Sequence, residues 1–239
     1  MTPFKTNLIG PAAAVLVAAR AIAAKRDPLA LLLDGDPGVG KTHLADTLAL
    51  ELTGSPHAIE HVNGQSVSAD LVREWRTTAG WGNLFSARTV KRIDEIDKAS
   101  TAGVAELLTH LDYLPRGHAV LATTNDFAAL RSSWKGRLET RFMRLHVDAP
   151  SIDEIVPWLR RKYSLLQTQA QAIARGAVPD GMLDGVNVRA ALLDAEALVA
   201  IRDASSLKHN RKITALPESD NSGLKGAVCE ISQVSVSHP

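Results

Sequence analysis

Apolar positions along the chain follow two rhythms. Leu29-Ala30-Leu31-Leu32-Leu33 and Ala119-Val120-Leu121-Ala122 are short and continuous, with no polar alternation. Strands buried on both faces of a parallel sheet read this way. Elsewhere apolar residues recur every three to four positions, as Val104, Leu107, Leu108 and Leu111 do. That spacing predicts a helix from Ser100 to Tyr113. Further helices are predicted from Pro11 to about Lys25, from Thr42 to Leu52, and from Ser68 or Asp70 to about Trp75. Pro11 suits a first turn, and Lys25-Arg26 suit a last one before Asp27-Pro28 breaks the helix. His57 to Asn63 is expected to be a strand, and Thr89 to Asp97 to hold one that ends in an acidic pair. Thr77 to Asn83 reads as a loop. In the basic stretch Arg131 to His146, Arg137 and Arg141 are placed to share a helix face.

After Pro150 the rhythm is helical throughout. Ser151-Ile152-Asp153-Glu154 has the form of a capping box, and helices are predicted over 151–161, 164–175 and 187–202, with Pro157 inside the first. From about Ala204 the periodicity ends, and a flexible tail is expected. The alternation of strand and helix over 1–150 predicts a three-layer α/β (αβα) domain with a parallel sheet. A small helical domain follows over 151–203, then the tail over 204–239.

Composition narrows this little. With 45% hydrophobic and 22% charged residues, the chain can build a core. A net charge of +1 gives no global attraction to nucleic acid, so any basic surface must be local. The single cysteine, Cys229, excludes a disulfide framework within one chain. No apolar run reaches the ~20 residues of a membrane span. The Ala-rich stretch after Pro11 is broken by Arg20 and makes a poor signal peptide. A cytoplasmic protein is expected.

The chemistry is concentrated in Gly35-Asp36-Pro37-Gly38-Val39-Gly40-Lys41-Thr42, which fits G-x-x-x-x-G-K-[ST] at every fixed position. Glycines let the backbone close around phosphate oxygens with its N–H groups turned inward. Lys41 can reach the β- and γ-phosphates, and the Thr42 hydroxyl can ligate Mg²⁺. The strand before the loop and the helix after it are the context such a loop needs. Asp94-Glu95 offers a metal carboxylate and a group to polarise the attacking water. Asn125, ending the run from Ala119, can hydrogen-bond a γ-phosphate or start a turn before Asp126.

Taken in order, these motifs resemble those of the AAA+ ATPases, above all the clamp-loader and Holliday-junction-motor types. The resemblance covers roughly residues 5 to 202. Asn7-Leu8-Ile9-Gly10 looks like the segment that lies against adenine. Gly35 to Thr42 looks like Walker A, Asp94-Glu95 like Walker B, and Asn125 like sensor 1. Thr140-Arg141-Phe142 resembles the arginine-finger element, and Val186-Asn187-Val188-Arg189-Ala190 the sensor 2 motif. The resemblance implies a phosphate-loop fold with a helical lid and ATP with Mg²⁺ between them. The nucleotide would lie on Ile9, Gly35 to His43 and Arg189, and the metal on Thr42 and Asp94. Catalysis would fall to Lys41, Glu95, Asn125 and Arg141, with Arg137 competing as the finger. A finger acts on a neighbour's ATP, so a homo-oligomeric ring or spiral is implied.

Lys91 and Arg92 are unusual in such a Walker B strand. They belong to a basic segment with Arg73, Arg76 and Arg88, interleaved by Trp75, Trp81 and Phe85. Cations and stacking faces are what nucleic-acid grooves use. The same residues also read as a solvated face with core aromatics. The resemblance to clamp-loader-type ATPases, with this segment beside it, implies DNA or a DNA-bound complex as the partner. The alternative is a polypeptide substrate gripped by Trp81-Gly82.

Overall fold

A computed structural model describes residues 8–81, 83–180 and 184–214, with side chains through residue 204. Asn7, Gly82 and residues 215–239 of the expected tail lie outside them. Contacts divide the chain into two units, residues 1–199 and 200–239.

Within the first unit, helix α1 (Gly10–Ala23) precedes strand β1 (Leu29–Asp34), the phosphate-loop segment and helix α2 (Lys41–Thr53). Then come β2 (Ile59–Asn63), α3 (Ala69–Thr78), β3 (Thr89–Asp94), α4 (Thr101–Asp112), β4 (His118–Thr124), α5 (Phe127–Ser133) and β5 (Met143–His146). The five strands form one sheet in the order β2-β3-β4-β1-β5. Every pairing is parallel.

The leucines of β1 show why its sequence does not alternate. Leu31 and Leu33 pack with Leu16, Leu44 and Leu48 of α1 and α2 on one face. Leu32 packs with Trp75 and Leu107 of α3 and α4 on the other. Burial on both faces demands apolar residues at both parities. Because all strands run the same way, the segments after β1, β3 and β4 meet at one edge of the sheet, where ligands of open α/β sheets bind.

The boundaries differ from expectation at four places. α3 runs on to Thr78, two residues into the predicted loop. β5 has no counterpart among the predicted strands. Residues 134–141 are turns, so Arg137 and Arg141 share no helix. The cause is local: α5 ends at Ser133, and Lys135 and Gly136 take positive φ of 52° and 70°. Finally, α8 (Val188–Thr214) continues through residues 204–214, where irregular chain was expected. No Gly or Pro interrupts that stretch, so intrinsic helix propensity suffices.

After Pro150, α6 (Ile152–Tyr163), α7 (Gln167–Gly176) and the first turns of α8 enclose a separate cluster. Its centre is Ile155, Leu159, Ala170, Val186 and Ala195. The Ser151–Glu154 capping box forms as the sequence predicts, and α6 continues through Pro157.

His110 on α4 is buried, with its ring centroid 6.2 Å from that of Trp75. Burial, then the charge of Lys91, holds its pKa down to about 4. An unfolded His titrates near 6.5, so between about 6.5 and 4 the unfolded chain binds the extra proton. Stability is therefore expected to fall as pH drops through that window, by on the order of 1 kcal/mol per pH unit. Urea melts at pH 7 and pH 5 check this. The slope should shrink in His110→Gln, and an unchanged slope would remove His110 as its source.

Candidate active site

The phosphate loop is held in place by residues remote in sequence. Gly35 has φ +145°, and a Cβ there would sit 2.2 Å from the Val147 carbonyl. Gly38 has φ +85°, and its Cβ would meet Asn187 Oδ1 at 2.1 Å. Both positions need glycine for conformation and for space. Asn187 Nδ2 donates to the Pro37 carbonyl at 3.2 Å. Its Oδ1 accepts from the Ala190 N–H at 3.1 Å, which caps α8. The Arg189 N–H donates to the Gly38 carbonyl at 3.2 Å. The loop and the start of α8 are thus directly bonded.

Lys41 is buried, and its Nζ donates to the carbonyls of Gly35 and Asp36 at 2.7 Å each. Burial pulls its pKa below the ordinary lysine value, opposed chiefly by the charge of Asp36. Behind the loop, the buried Asp34 carboxylate accepts both arms of Arg144, at 2.8 and 2.6 Å, and His146 Nδ1 at 2.8 Å. Burial alone would raise the Asp34 pKa, but these donors outweigh it and hold it low. This cluster fastens β5 to β1 directly below the loop.

Asp94 ends β3 facing α2. Its Oδ1 accepts from Thr42 Oγ1 at 3.5 Å and from Thr123 Oγ1 at 3.2 Å. Its Oδ2 accepts from Arg92 at 2.6 Å. Glu95 follows in the left-handed region, with φ 54° and ψ 54°. Such a backbone costs a non-glycine residue about 1–3 kcal/mol and is retained where it aims a side chain. Gly64 makes room for it, since a Cβ there would lie 2.0 Å from the Glu95 carbonyl. The Glu95 N–H donates to Thr123 Oγ1 at 3.2 Å. Its carboxylate accepts from Asn125 Nδ2 at 3.3 Å and from Lys98 Nζ at 2.6 Å.

These groups border a cavity of about 570 Å³. Pro37 to His43, Glu95, Thr123 and Asn125 line it. So do the apolar Ile9, Val188, Leu192 and Trp158, and Arg189. Small-molecule sites commonly measure ~300–1,000 Å³. Of the expected site residues, Gly35 and Asp36 stand behind the loop and Asp94 behind Thr42. Arg141 lies elsewhere, both arms on Asp112 at 2.8 Å. Arg137 is exposed, and its side chain has no ion pair among the described residues.

Thr123 and Asn187 were not foreseen as site residues. Thr123 lies inside the motif credited to Asn125, and Asn187 inside the one credited to Arg189.

The basic segment does not form the expected cationic groove. Arg73 and Arg76 both bond Glu106. Lys91 pairs with Glu60 and lies over the ring of Trp75, which is itself buried and donates to Glu60. Arg92 pairs with Asp46 and Asp94. Only Arg88 of the five has no carboxylate partner among the described residues. Trp81, Leu84 and Phe85 remain exposed, in the segment between α3 and β3.

A glycine-rich loop between a buried parallel strand and a helix, with an Asp-Glu pair one strand over from its neighbour, defines a phosphate-loop nucleotide hydrolase. Comparison with known proteins narrows the class. Residues 31–144 match the family model "ATPase family associated with various cellular activities (AAA)". That span carries the loop, Asp94, Glu95 and Asn125. The match marks that span as similar to an AAA ATPase module, and the span carries the residue set of an ATP hydrolase. No curated protein matches the chain.

Solved structures share the fold. The RuvB Holliday junction branch migration motor of Thermotoga maritima is 23% identical with a TM-score of 0.53, over 80% of this chain and 70% of that one. A DNA polymerase III gamma-subunit-related protein of the same organism is 14% identical with a TM-score of 0.50, over 75% and 70%.

Proposed function

We propose that the protein binds ATP with Mg²⁺ in this cavity and hydrolyses it between copies of the chain in a ring or spiral. The cycle would serve DNA or a DNA-bound complex in the cytoplasm. In this reading residues 1–150 form the nucleotide domain and 151–203 the lid. The observation that carries the proposal is the cluster at the sheet edge, where Asp94 faces Thr42 and Glu95 is held by Asn125 beside the phosphate loop.

The donor set suits a small hard cation. The Thr42 hydroxyl and an Asp94 carboxylate oxygen lie 3.5 Å apart beside the phosphate loop, and both are the hard oxygen donors that such an ion takes. Among the described residues no three His, Cys, Asp or Glu side chains converge as a metal site. Few protein ligands is the usual pattern for Mg²⁺, which takes one or two carboxylates plus phosphates and waters. When bound it neutralises charge on the β- and γ-phosphate oxygens.

The chain's own groups do the rest. The N–H groups of Gly38 to Thr42 surround the phosphates at the start of α2. Lys41 exchanges its two carbonyl partners for phosphate oxygens. Glu95 accepts the proton of the attacking water, and Asn125 fixes its carboxylate and senses the γ-phosphate. Ile9 and Trp158 border the base, and Arg189 ties the start of α8 to the phosphates. The trans-acting guanidinium is Arg141, oriented by Asp112. Arg137 is the competing candidate.

DNA as the partner is supported by what the structural neighbours are, one a branch migration motor and the other related to a DNA polymerase subunit. The neutralised basic segment lends it nothing. A polypeptide partner is the second reading, favoured by exposed Trp81, Leu84 and Phe85. Steady-state ATPase assays with single- and double-stranded DNA separate the two. DNA should raise the rate, and the increase should fade between about 50 and 200 mM salt. Indifference to DNA, with stimulation by an unfolded protein that Trp81→Ala abolishes, would establish the second reading instead.

A further inference from the structure

Arg92 is the anomaly of β3. A strand buried on both faces carries a guanidinium only 9% exposed, two residues before the carboxylate assigned to the metal. It touches groups from three elements. One arm donates to Asp94 Oδ2 at 2.6 Å. Its Nε–H is directed at His61 Nδ1 on β2. The same nitrogen lies 2.9 Å from Asp46 Oδ1 on α2, one helical turn after Thr42.

Because Nε donates to His61, Asp46 Oδ1 feels the charge but accepts no hydrogen bond among the described residues, although that atom is buried. His61 Nδ1 is 3.7 Å from it. A carboxylate oxygen left without a donor is costly. Asp46 also lines the nucleotide cavity. Two carboxylates beside the phosphate loop therefore share one fixed cation. Both oxygens of Asp94 are engaged by protein donors, Thr42 and Thr123 on one and Arg92 on the other.

We propose that Arg92 is the resident cation of the metal site. It holds Asp94 and Asp46 together so that a divalent ion binds appreciably only when a polyphosphate brings further oxygens. This rests on Asp94 being the metal carboxylate. The charge balance explains the device. Without Arg92, Asp46 in the cavity wall and Asp94 behind Thr42 would be two neighbouring carboxylates with no shared cation, and would draw in a divalent ion on their own. With it, an incoming cation is repelled until the phosphates outweigh one guanidinium. Metal binding then follows nucleotide binding. Arg92 acts through Asp94, so it is a positioning residue.

Mn²⁺ is the probe, its free concentration read by electron paramagnetic resonance on the purified full chain. Titrations are run with and without a non-hydrolysable ATP analogue, and the analogue alone is titrated so that its own Mn²⁺ chelation is subtracted. Wild type should bind Mn²⁺ at least ~10-fold more tightly with the analogue than without. Arg92→Met should tighten analogue-free binding by ~10-fold or more, within the ~10–100-fold by which partners of a ligating carboxylate move affinity. Arg92→Lys, which keeps the charge, should bind as wild type does.

A folded Arg92→Met with unchanged or weaker analogue-free binding overturns the proposal, as does Arg92→Lys behaving like Arg92→Met. Should Arg92→Met not fold, wild type still decides. Equal Mn²⁺ affinity with and without the analogue means that no resident cation gates the site. Asp94→Asn checks the foundation separately. If it retains analogue-dependent Mn²⁺ binding, the metal assignment itself fails, and the proposal with it.

Discussion

Glu95→Gln is expected to bind ATP about as well as wild type and to hydrolyse it roughly 10²–10⁴-fold more slowly, the usual contribution of a positioned general base. The amide keeps the size and the hydrogen bond to Asn125 but cannot take a proton from water. The geometry argues that the carboxylate is placed for this task. Its backbone is held at φ 54°, Thr123 accepts from its N–H, and Asn125 and Lys98 fix its two oxygens. Binding should survive because the loop and Lys41 belong to the segment between β1 and α2, apart from Glu95. Nucleotide affinity by calorimetry and turnover by phosphate release measure the two quantities apart. Turnover near the wild-type rate would take Glu95 out of its role.

The second large effect concerns the guanidinium proposed to act in trans. Arg141→Ala is expected to assemble normally and to lose about 10³–10⁵ in rate, as arginine fingers do in other nucleotide hydrolases. The structure holds Arg141 by a two-armed bond to Asp112, away from its own chain's cavity. That suits a group presented to a neighbour. Arg137→Ala is the control, exposed and without an ion pair among the described residues. A large loss in Arg137→Ala with little in Arg141→Ala would reverse the assignment. Mixing gives an independent reading. Lys41→Ala and Arg141→Ala should each be inactive alone. Together they form interfaces where an intact loop meets an intact finger, so part of the activity should return. No recovery in a verified mixed oligomer would contradict action in trans.

Much of this site was legible in the sequence, for a physical reason. A phosphate loop requires fixed residue types at fixed spacing, and its flanking strand and helix are local. Asp94, Glu95 and Asn125 follow because each ends a strand in a sheet whose strands all run one way. What escaped depends on partners far apart in the chain. The basic segment looked like a groove because sequence adjacency gathers its cations. Glu60, Asp46 and Glu106, which neutralise four of them, come from β2, α2 and α4. β5 is only four residues long and lies in a run of arginines. Its place is set by Arg144 and His146 on Asp34, a contact across more than 100 positions. Asn187 reads as an ordinary helix cap until Gly38 is found beneath it. Arg92 stood out as an anomaly in the sequence, and only the fold shows the two carboxylates and the histidine around it.

The account's central claim is that the cavity is completed by a second copy of the chain. The most direct test is specific ATPase activity as a function of protein concentration, read beside sedimentation velocity on the same samples. The account predicts negligible activity where the protein sediments as a monomer. Activity should rise more steeply than concentration and level off as oligomers form. Full and constant specific activity at concentrations where only monomer is present would contradict it.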